Sequence, residues 1–351
     1  MRNLFPTGRQ VFFYSAGLCV CLASGAMGVP LPEKAIPQNA EVLHSEKSTL
    51  GTIKVKRWPA WVRVEHFGAT ERFEYQLIYE GTLHDVQFRH SVRFEVACLL
   101  PPLSPDIPLA TACKLKLGRD VFLVPGRLEP AGYYTRVGPL GRIFEALRPA
   151  KDEHVACIGL GAGTTACYAR AGQTFTYYEA DPALVNVTRK WFTYLRDCQG
   201  KTEIVVGAPR TKLAEAADKK FRLIIVNPVG AEFTPVNLLT REAVQLYFRK
   251  LTDNGVVALH ISHRHLNQAP VLGNIAKDQG LVAAHIVHSP DDLEDPIQLF
   301  SEWVVLARKK EHLAPLLKGK ECQVLHADPK FPLWTDKFAD TKAVRKEESK
   351  D

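Results

Sequence analysis

The 351 residues hold no pair of cysteines at metal or redox spacing: eight cysteines are present and none forms a CxxC, so no zinc or thioredoxin-type motif is encoded. Charge of one sign is not concentrated either. Lys and Arg outnumber Asp and Glu by 45 to 38, and the formal +7 is spread along the chain without a long basic block. That field is too weak to argue for nucleic acid. No internal repeat is visible. Long hydrophobic runs are missing apart from one near the N-terminus, and 46% hydrophobic with 24% charged residues excludes both a multi-span membrane protein and a wholly disordered chain. A folded body remains, with room for about two domains of roughly 150 residues, or for one domain with appendages.

The single apolar run, Val11 to Val29, follows Arg2 and Arg9. Its length, about 18 residues, lies on the border between a signal peptide and a membrane span. Ser24, Gly25 and Ala26 offer a signal-peptidase site, and the same run left uncut anchors the protein with its N-terminus inside. Export or anchoring is therefore the expectation, with a buried soluble helix as the plain alternative. Cys19 and Cys21 lie in this run; Cys157 and Cys167 fall in segments that read as core strand and buried helix, where a thiol is a small hydrophobe.

Residues 30–46 are rich in Pro and polar residues without periodicity and read as a linker. Residues 47–132 read as a small β domain. Alternation in Thr52-Ile53-Lys54-Val55, Phe73 to Tyr79 and Thr82 to Val86 predicts antiparallel strands, with Glu80-Gly81 as a turn, and residues 89–128 form a β-rich or irregular insertion. From residue 133 to 310 short apolar strands alternate with helical runs. The strands are Val155–Gly159, Phe175–Glu179, Glu203–Val206, Leu223–Val226, Val256–Ile261, Val282–Val287 and Trp303–Ala307. Between them lie helices at Thr164–Ala171, Pro182–Leu195, Thr211–Ala217, Leu238–Leu251 and Ala269–Gln279, after a first one at Leu140–Leu147. Seven strands with interleaved helices predict a doubly wound α/β sheet. A C-terminal extension, 311–341, and a disordered mixed-charge tail, 342–351, complete the chain.

Cys157-Ile158-Gly159-Leu160-Gly161-Ala162-Gly163-Thr164 follows a predicted strand and opens a predicted helix. That context makes a glycine loop informative, because glycines let a ligand approach the backbone. Gly159, Gly161 and Gly163 make GxGxG, and the third glycine of a dinucleotide pattern falls on Thr164, so an adenosyl thioether fits better than a pyrophosphate. The next strand ends in Tyr178-Glu179-Ala180-Asp181, with Glu179 20 residues after Gly159. An acid placed there accepts hydrogen bonds from both ribose hydroxyls, and Asp181 beside it joins the candidate cofactor set.

These residues resemble the spermidine synthase superfamily, above all its bacterial branch in which the synthase domain follows hydrophobic membrane helices. The matching stretches are Tyr79-Glu80-Gly81-Thr82-Leu83-His84, Ile158 to Thr164, Tyr178 to Pro182, Pro235 to Glu242, His260-Ile261-Ser262-His263-Arg264 and Pro332-Leu333-Trp334-Thr335-Asp336, spread over residues 45–340. The glycine loop is shared with all class I methyltransferases; the His260 and Trp334 stretches are more specific to that branch. The resemblance implies a Rossmann-like, seven-stranded class I methyltransferase-type domain preceded by a small β domain. It also implies a bound decarboxylated S-adenosylmethionine or S-adenosylmethionine and an amine as acceptor of an aminopropyl group; whether the chain forms a homo-oligomer is left open. Tyr133 and Tyr134 resemble the family's tyrosine near the diamine pocket, and packing at the domain junction is the alternative for them.

The departures all remove carboxylates. The family's acid at the end of the fourth strand, which takes the proton of the attacking amine, is Asn227 here; an amide cannot take a proton, and losing a positioned base costs roughly 10²- to 10⁴-fold in rate. Glu232 is the best substitute base. Gly207-Ala208-Pro209 stands where the family has Gly-Asp-Ala, and Ala162 replaces an acid in the glycine loop. Three functions stay open: aminopropyl transfer, weakened or lost; N-methyl transfer with Asn227-Pro228 orienting the nitrogen; and a non-catalytic, exported or anchored binding module. His260, His263 and His265 run off a strand end without a Cys or carboxylate to join them, so no metal is expected. Phe300, Trp303 and Trp334 read as packing.

Overall fold

The computed structural model describes residues 41–48, 51–64, 68–79, 82–88, 128, 130, 132–228, 234–262, 266–289, 300–319 and 321–346. The apolar run before Pro30, the Glu80-Gly81 turn, most of the 89–128 insertion, Glu232, His263 and His265 lie outside them.

Four strands, β1 (Glu41–Ser48), β2 (Gly51–Val64), β3 (Gly68–Tyr79) and β4 (Thr82–Phe88), form an antiparallel meander in sequence order. β1 corrects the expected linker: residues 41–46 pair with β2, Glu41 opposite Arg57 and Glu46 opposite Ile53, so backbone pairing organises a stretch that composition alone made look unstructured. Ile53 and Val55 are fully buried in the same hydrophobic cluster as the central α/β body. His44 faces Trp191 with ring centroids 6.2 Å apart.

The body opens with α1 (Pro139–Leu147), started by a proline and closed by Arg148 in the left-handed region. It continues through β5 (His154–Ile158), β6 (Thr174–Glu179), α2 (Pro182–Trp191), α3 (Tyr194–Asp197), β7 (Lys201–Val206), α4 (Pro209–Glu215) and β8 (Phe221–Val226). It then runs through α5 (Arg241–Lys250), β9 (Leu251–His260), α6 (Ala269–Asp278), β10 (Val282–His288), β11 (Ser301–Ala307), α7 (Lys310–Leu313) and β12 (Cys322–Leu325). The sheet order is β12-β10-β11-β9-β8-β5-β6-β7. β5 to β9 pair in parallel, and β11 is antiparallel to both neighbours. Without β12 this is the class I methyltransferase type of α/β sheet. β5, β8 and β9 have almost wholly buried strand cores, as expected of parallel strands covered on both faces. The order reverses between β5 and β8, so the cleft lies beyond their C-terminal ends.

Three expectations are corrected. The sheet has eight strands, because β12 adds an antiparallel edge to β10; at four partly exposed residues, it is too short to show the pattern of the others. Thr164–Tyr168 is a short 3₁₀ helix, not an α-helix running to Ala171. The chain must return along the length of β6 within ten residues, and the 3₁₀ rise of about 2.0 Å per residue covers more distance than 1.5 Å. The tail is structured as far as Lys346: Val344 is fully buried, and Arg345 pairs with Leu266.

Candidate functional site

At the switch point Gly159 (φ +96°), Gly161 (φ +54°) and Gly163 (φ +82°) are all left-handed, a region that disfavours side chains. Gly159 is constrained further. A Cβ there would lie 2.2 Å from the Asn227 carbonyl oxygen, because Asn227 continues β8 and its amide donates to Ile158 O at 2.9 Å. The loop and the end of β8 are thus locked backbone to backbone. Thr188 of α2 holds the far side, donating to Gly161 O at 2.6 Å.

Glu179 is 3% exposed, and its two carboxylate oxygens accept from Leu160 N and Asp181 N, each at 2.9 Å. Burial lifts its carboxyl above the usual range, opposed by those backbone amides. The acid expected at the ribose therefore clamps the glycine loop, and each oxygen keeps lone-pair capacity for a hydroxyl beyond its amide. Asp181 also has a structural task. Its Oδ1 caps α2 by accepting from Ala183 N at 2.9 Å, which stabilises a helix by about 1 kcal/mol, and its Oδ2 is buried without a partner. Ala208 stands before α4 with no side-chain cap.

On the other side of the switch point Asn227 is fixed at both ends. Its Nδ2 donates to the Tyr134 hydroxyl at 2.6 Å, and its Oδ1 lies 2.7 Å from His260 Nδ1. An amide oxygen only accepts, so Nδ1 of His260 carries the proton. The other ring nitrogen then accepts from Ser262 Oγ at 2.7 Å, and Ser262 Oγ accepts from Glu302 N at 2.8 Å. The donors run one way: Glu302 N, Ser262, His260, Asn227, Tyr134. Burial pushes the His260 pKa down to about 3, so the imidazole is neutral. It is packed between Trp303, ring centroids 4.8 Å apart and 26° from parallel, and Tyr133 at 5.0 Å. Thr234 donates to the His260 carbonyl at 2.8 Å, and the Tyr168 hydroxyl donates to the Tyr134 carbonyl.

Sequence reasoning brought Gly159, Gly161, Gly163, Glu179, Asn227, Tyr133 and Tyr134 into one region, and the structure places them together. Both tyrosines are also core residues. Neither His260 nor Ser262 carried an assigned role; the signals in the sequence were the position of His260 at a strand end and the matching stretch His260 to Arg264 that holds both. Among the described residues no group of three or more His, Cys, Asp or Glu is arranged to hold a metal ion. An open groove of about 700 Å³ lies between α4 and α5, lined by Arg210, Asn237, Glu242 and Arg249 among others. It includes neither the glycine loop nor Asn227.

No family model matches the chain, and no curated protein does. Solved structures do resemble it. A probable spermidine synthase from Corynebacterium glutamicum is 13% identical, over 82% of this chain and 91% of that one, with a TM-score of 0.48. Spermidine synthase from Thermotoga maritima is 12% identical, over 78% and 75%, with a TM-score of 0.45. Human methyltransferase-like protein 13 in complex with SAH is 16% identical, over 50% and 85%, with a TM-score of 0.38.

Proposed function

We propose that the chain is a spermidine synthase-like protein that binds an adenosyl thioether or sulfonium at the Gly159 to Glu179 site and has lost efficient aminopropyl transfer. The candidates are decarboxylated S-adenosylmethionine and S-adenosylmethionine. One observation carries the reading: the residue standing for the amine's base is an amide held at both ends, by Tyr134 at 2.6 Å and His260 at 2.7 Å. His260 beside it is neutral and already accepts from Ser262, so it offers no ready base. N-methyl transfer is supported less, because it would use Asn227 Oδ1 to orient the nitrogen and His260 already takes one of that atom's two lone pairs. The apolar run before Pro30 supports an exported or anchored protein, away from a supply of adenosylmethionine derivatives.

The test is thermal unfolding of the full chain with decarboxylated S-adenosylmethionine, S-adenosylmethionine or methylthioadenosine, beside a turnover assay with 1,4-diaminobutane. Ligand at 100 times its dissociation constant adds about 2.7 kcal/mol of stability. Stabilisation without turnover is the expected result. Turnover at ordinary enzymatic rates, about 1 s⁻¹ or more, overturns the loss of transfer, and no stabilisation by any nucleoside overturns the binding reading.

A further inference from the structure

A count of donors and acceptors beside Asn227 points to the chemistry of a second ligand. Each acceptor of the relay already takes one hydrogen bond: Tyr134 Oη from Asn227, Asn227 Oδ1 from His260, His260 Nε2 from Ser262, and Ser262 Oγ from Glu302 N. The next strand supplies groups that are not engaged. Trp303, the register partner of His260, has its Nε1–H buried without a partner, and Ser301 Oγ, two residues earlier on the same face, is also buried without one. These residues are 0% and 1% exposed. Ser301 lies opposite His288, and His288 Cδ2 is 4.0 Å from where a Cβ on Gly138 would sit.

Gly138 heads α1, whose first turn has no side-chain cap. The amides of Leu140 and Gly141 there lie at the positive end of the helix. The carboxylates nearby are committed: Glu321 pairs with Arg142 at 2.9 Å, and Glu302, on the opposite face of β11, accepts from His285 at 2.8 Å. Asp181 Oδ2, an acceptor without a partner, stands across the switch point on the nucleoside side.

The indole N–H of Trp303 donates only, while the Ser301 hydroxyl can donate as well as accept, so with the helix amides this corner is richer in donors than a cationic amine needs. We infer that the corner formed by Trp303, Ser301 and the head of α1 takes the carboxylate of a second ligand. The inference rests on the nucleoside-binding reading for its setting. An orphaned N–H and hydroxyl gain charge-assisted hydrogen bonds from such a group, about twice as strong as neutral ones, whereas a cation would bond the Ser301 oxygen alone and leave the indole N–H unpaired.

The probes are 4-aminobutanoate and 1,4-diaminobutane, which share one amine and the chain and differ in the distal group. Each is titrated calorimetrically into the full-length protein, with methylthioadenosine present and in its absence. 4-Aminobutanoate binds at least about tenfold tighter than the diamine, and Ser301→Ala and Trp303→Phe each weaken it about tenfold without changing methylthioadenosine affinity. Should Trp303→Phe fail to fold, Ser301→Ala decides alone. Equal affinity for the two probes, preference for the diamine, or binding unaltered in the folded variants overturns the carboxylate site. Failure of methylthioadenosine to bind overturns the nucleoside reading instead, and the same comparison of probes on the protein alone then decides the carboxylate site.

Discussion

The side-chain oxygen of Asn227 accepts the Nδ1 proton of His260 at 2.7 Å, across the 33 residues that separate them. This bond fixes which imidazole nitrogen is protonated and which end of the amide faces the ring. Both groups are neutral, and burial at the end of a parallel sheet keeps them so.

The His260 pKa of about 3 lies below its ordinary value of about 6.5, so the unfolded chain binds the proton more readily. Stability from the neutral ring is complete above pH ~6.5 and falls as pH drops toward 3, by up to about 1.4 kcal/mol per pH unit. Denaturant unfolding between pH 4 and 8 is expected to show this loss. His260→Gln is expected to flatten the slope in that window, and an unchanged slope would mean that the acid loss arises elsewhere.

Gly159 and Gly280 separate conformational strain from crowding. Both have positive φ, +96° and +64°, but a Cβ at Gly159 meets the Asn227 carbonyl oxygen at 2.2 Å and one at Gly280 meets nothing within 4 Å. Gly280→Ala is expected to cost about 1 kcal/mol from left-handed strain alone. Gly159→Ala adds overpacking and is expected to cost about 3 kcal/mol or more. Chemical denaturation of both variants checks the difference, and equal costs would mean that the loop and β8 are not locked together.

The glycine loop, Glu179 and the strands around them were legible in the sequence because buried parallel strands are short apolar runs and left-handed turns select glycine. Asn227 was legible as a departure from a family pattern. Its confinement was not, because Tyr134, His260 and Ser262 reach it from separate segments and local spacing does not encode that meeting. Glu179 shows the same limit: its spacing suggested a ribose ligand, while the loop amides of Leu160 and Asp181 that it satisfies become visible only in three dimensions. Polar edges also misled. The Val344 segment looks solvated in composition and β12 is only four residues long, and both are ordered by pairing with partners far along the chain.

The C-terminal extension is tied down by Asp336, which accepts from both terminal guanidinium nitrogens of Arg210 at 2.7 and 2.8 Å and from Thr240 Oγ1 at 2.6 Å. The Arg210 hydrogen bonds hold the Asp336 carboxyl below its usual value. That contribution is present above pH ~3.9 and is lost as pH falls through the lower folded value. Since the pair is partly exposed, solvent screening limits it, and Asp336→Ala is expected to cost about 1 kcal/mol. Hydrogen exchange is expected to rise at Thr335 and Phe338, whose amides close the turn beside it; protection equal to the unaltered protein would leave Trp334 burial as what holds the segment.

Introducing an acid by Asn227→Asp tests whether one residue separates this chain from the aminopropyl transfer proposed as lost. In the observed arrangement an aspartate would meet the Nδ1 proton of His260 on one side and the Tyr134 hydroxyl on the other. Both would spend its lone pairs as acceptors, and the negative charge would favour protonated His260, raising that pKa from about 3 toward its ordinary value. The carboxylate so paired is a weaker base than a free one, and the corner at Trp303 and Ser301 still presents donors to a diamine. Turnover with decarboxylated S-adenosylmethionine and 1,4-diaminobutane is therefore expected to stay at background, while an imidazole titration appears by NMR between pH 4 and 8. A hundredfold or greater gain in turnover, within the range attributed to a positioned base, would mean that the rest of the amine site is intact and would remove the donor surplus as its defining feature.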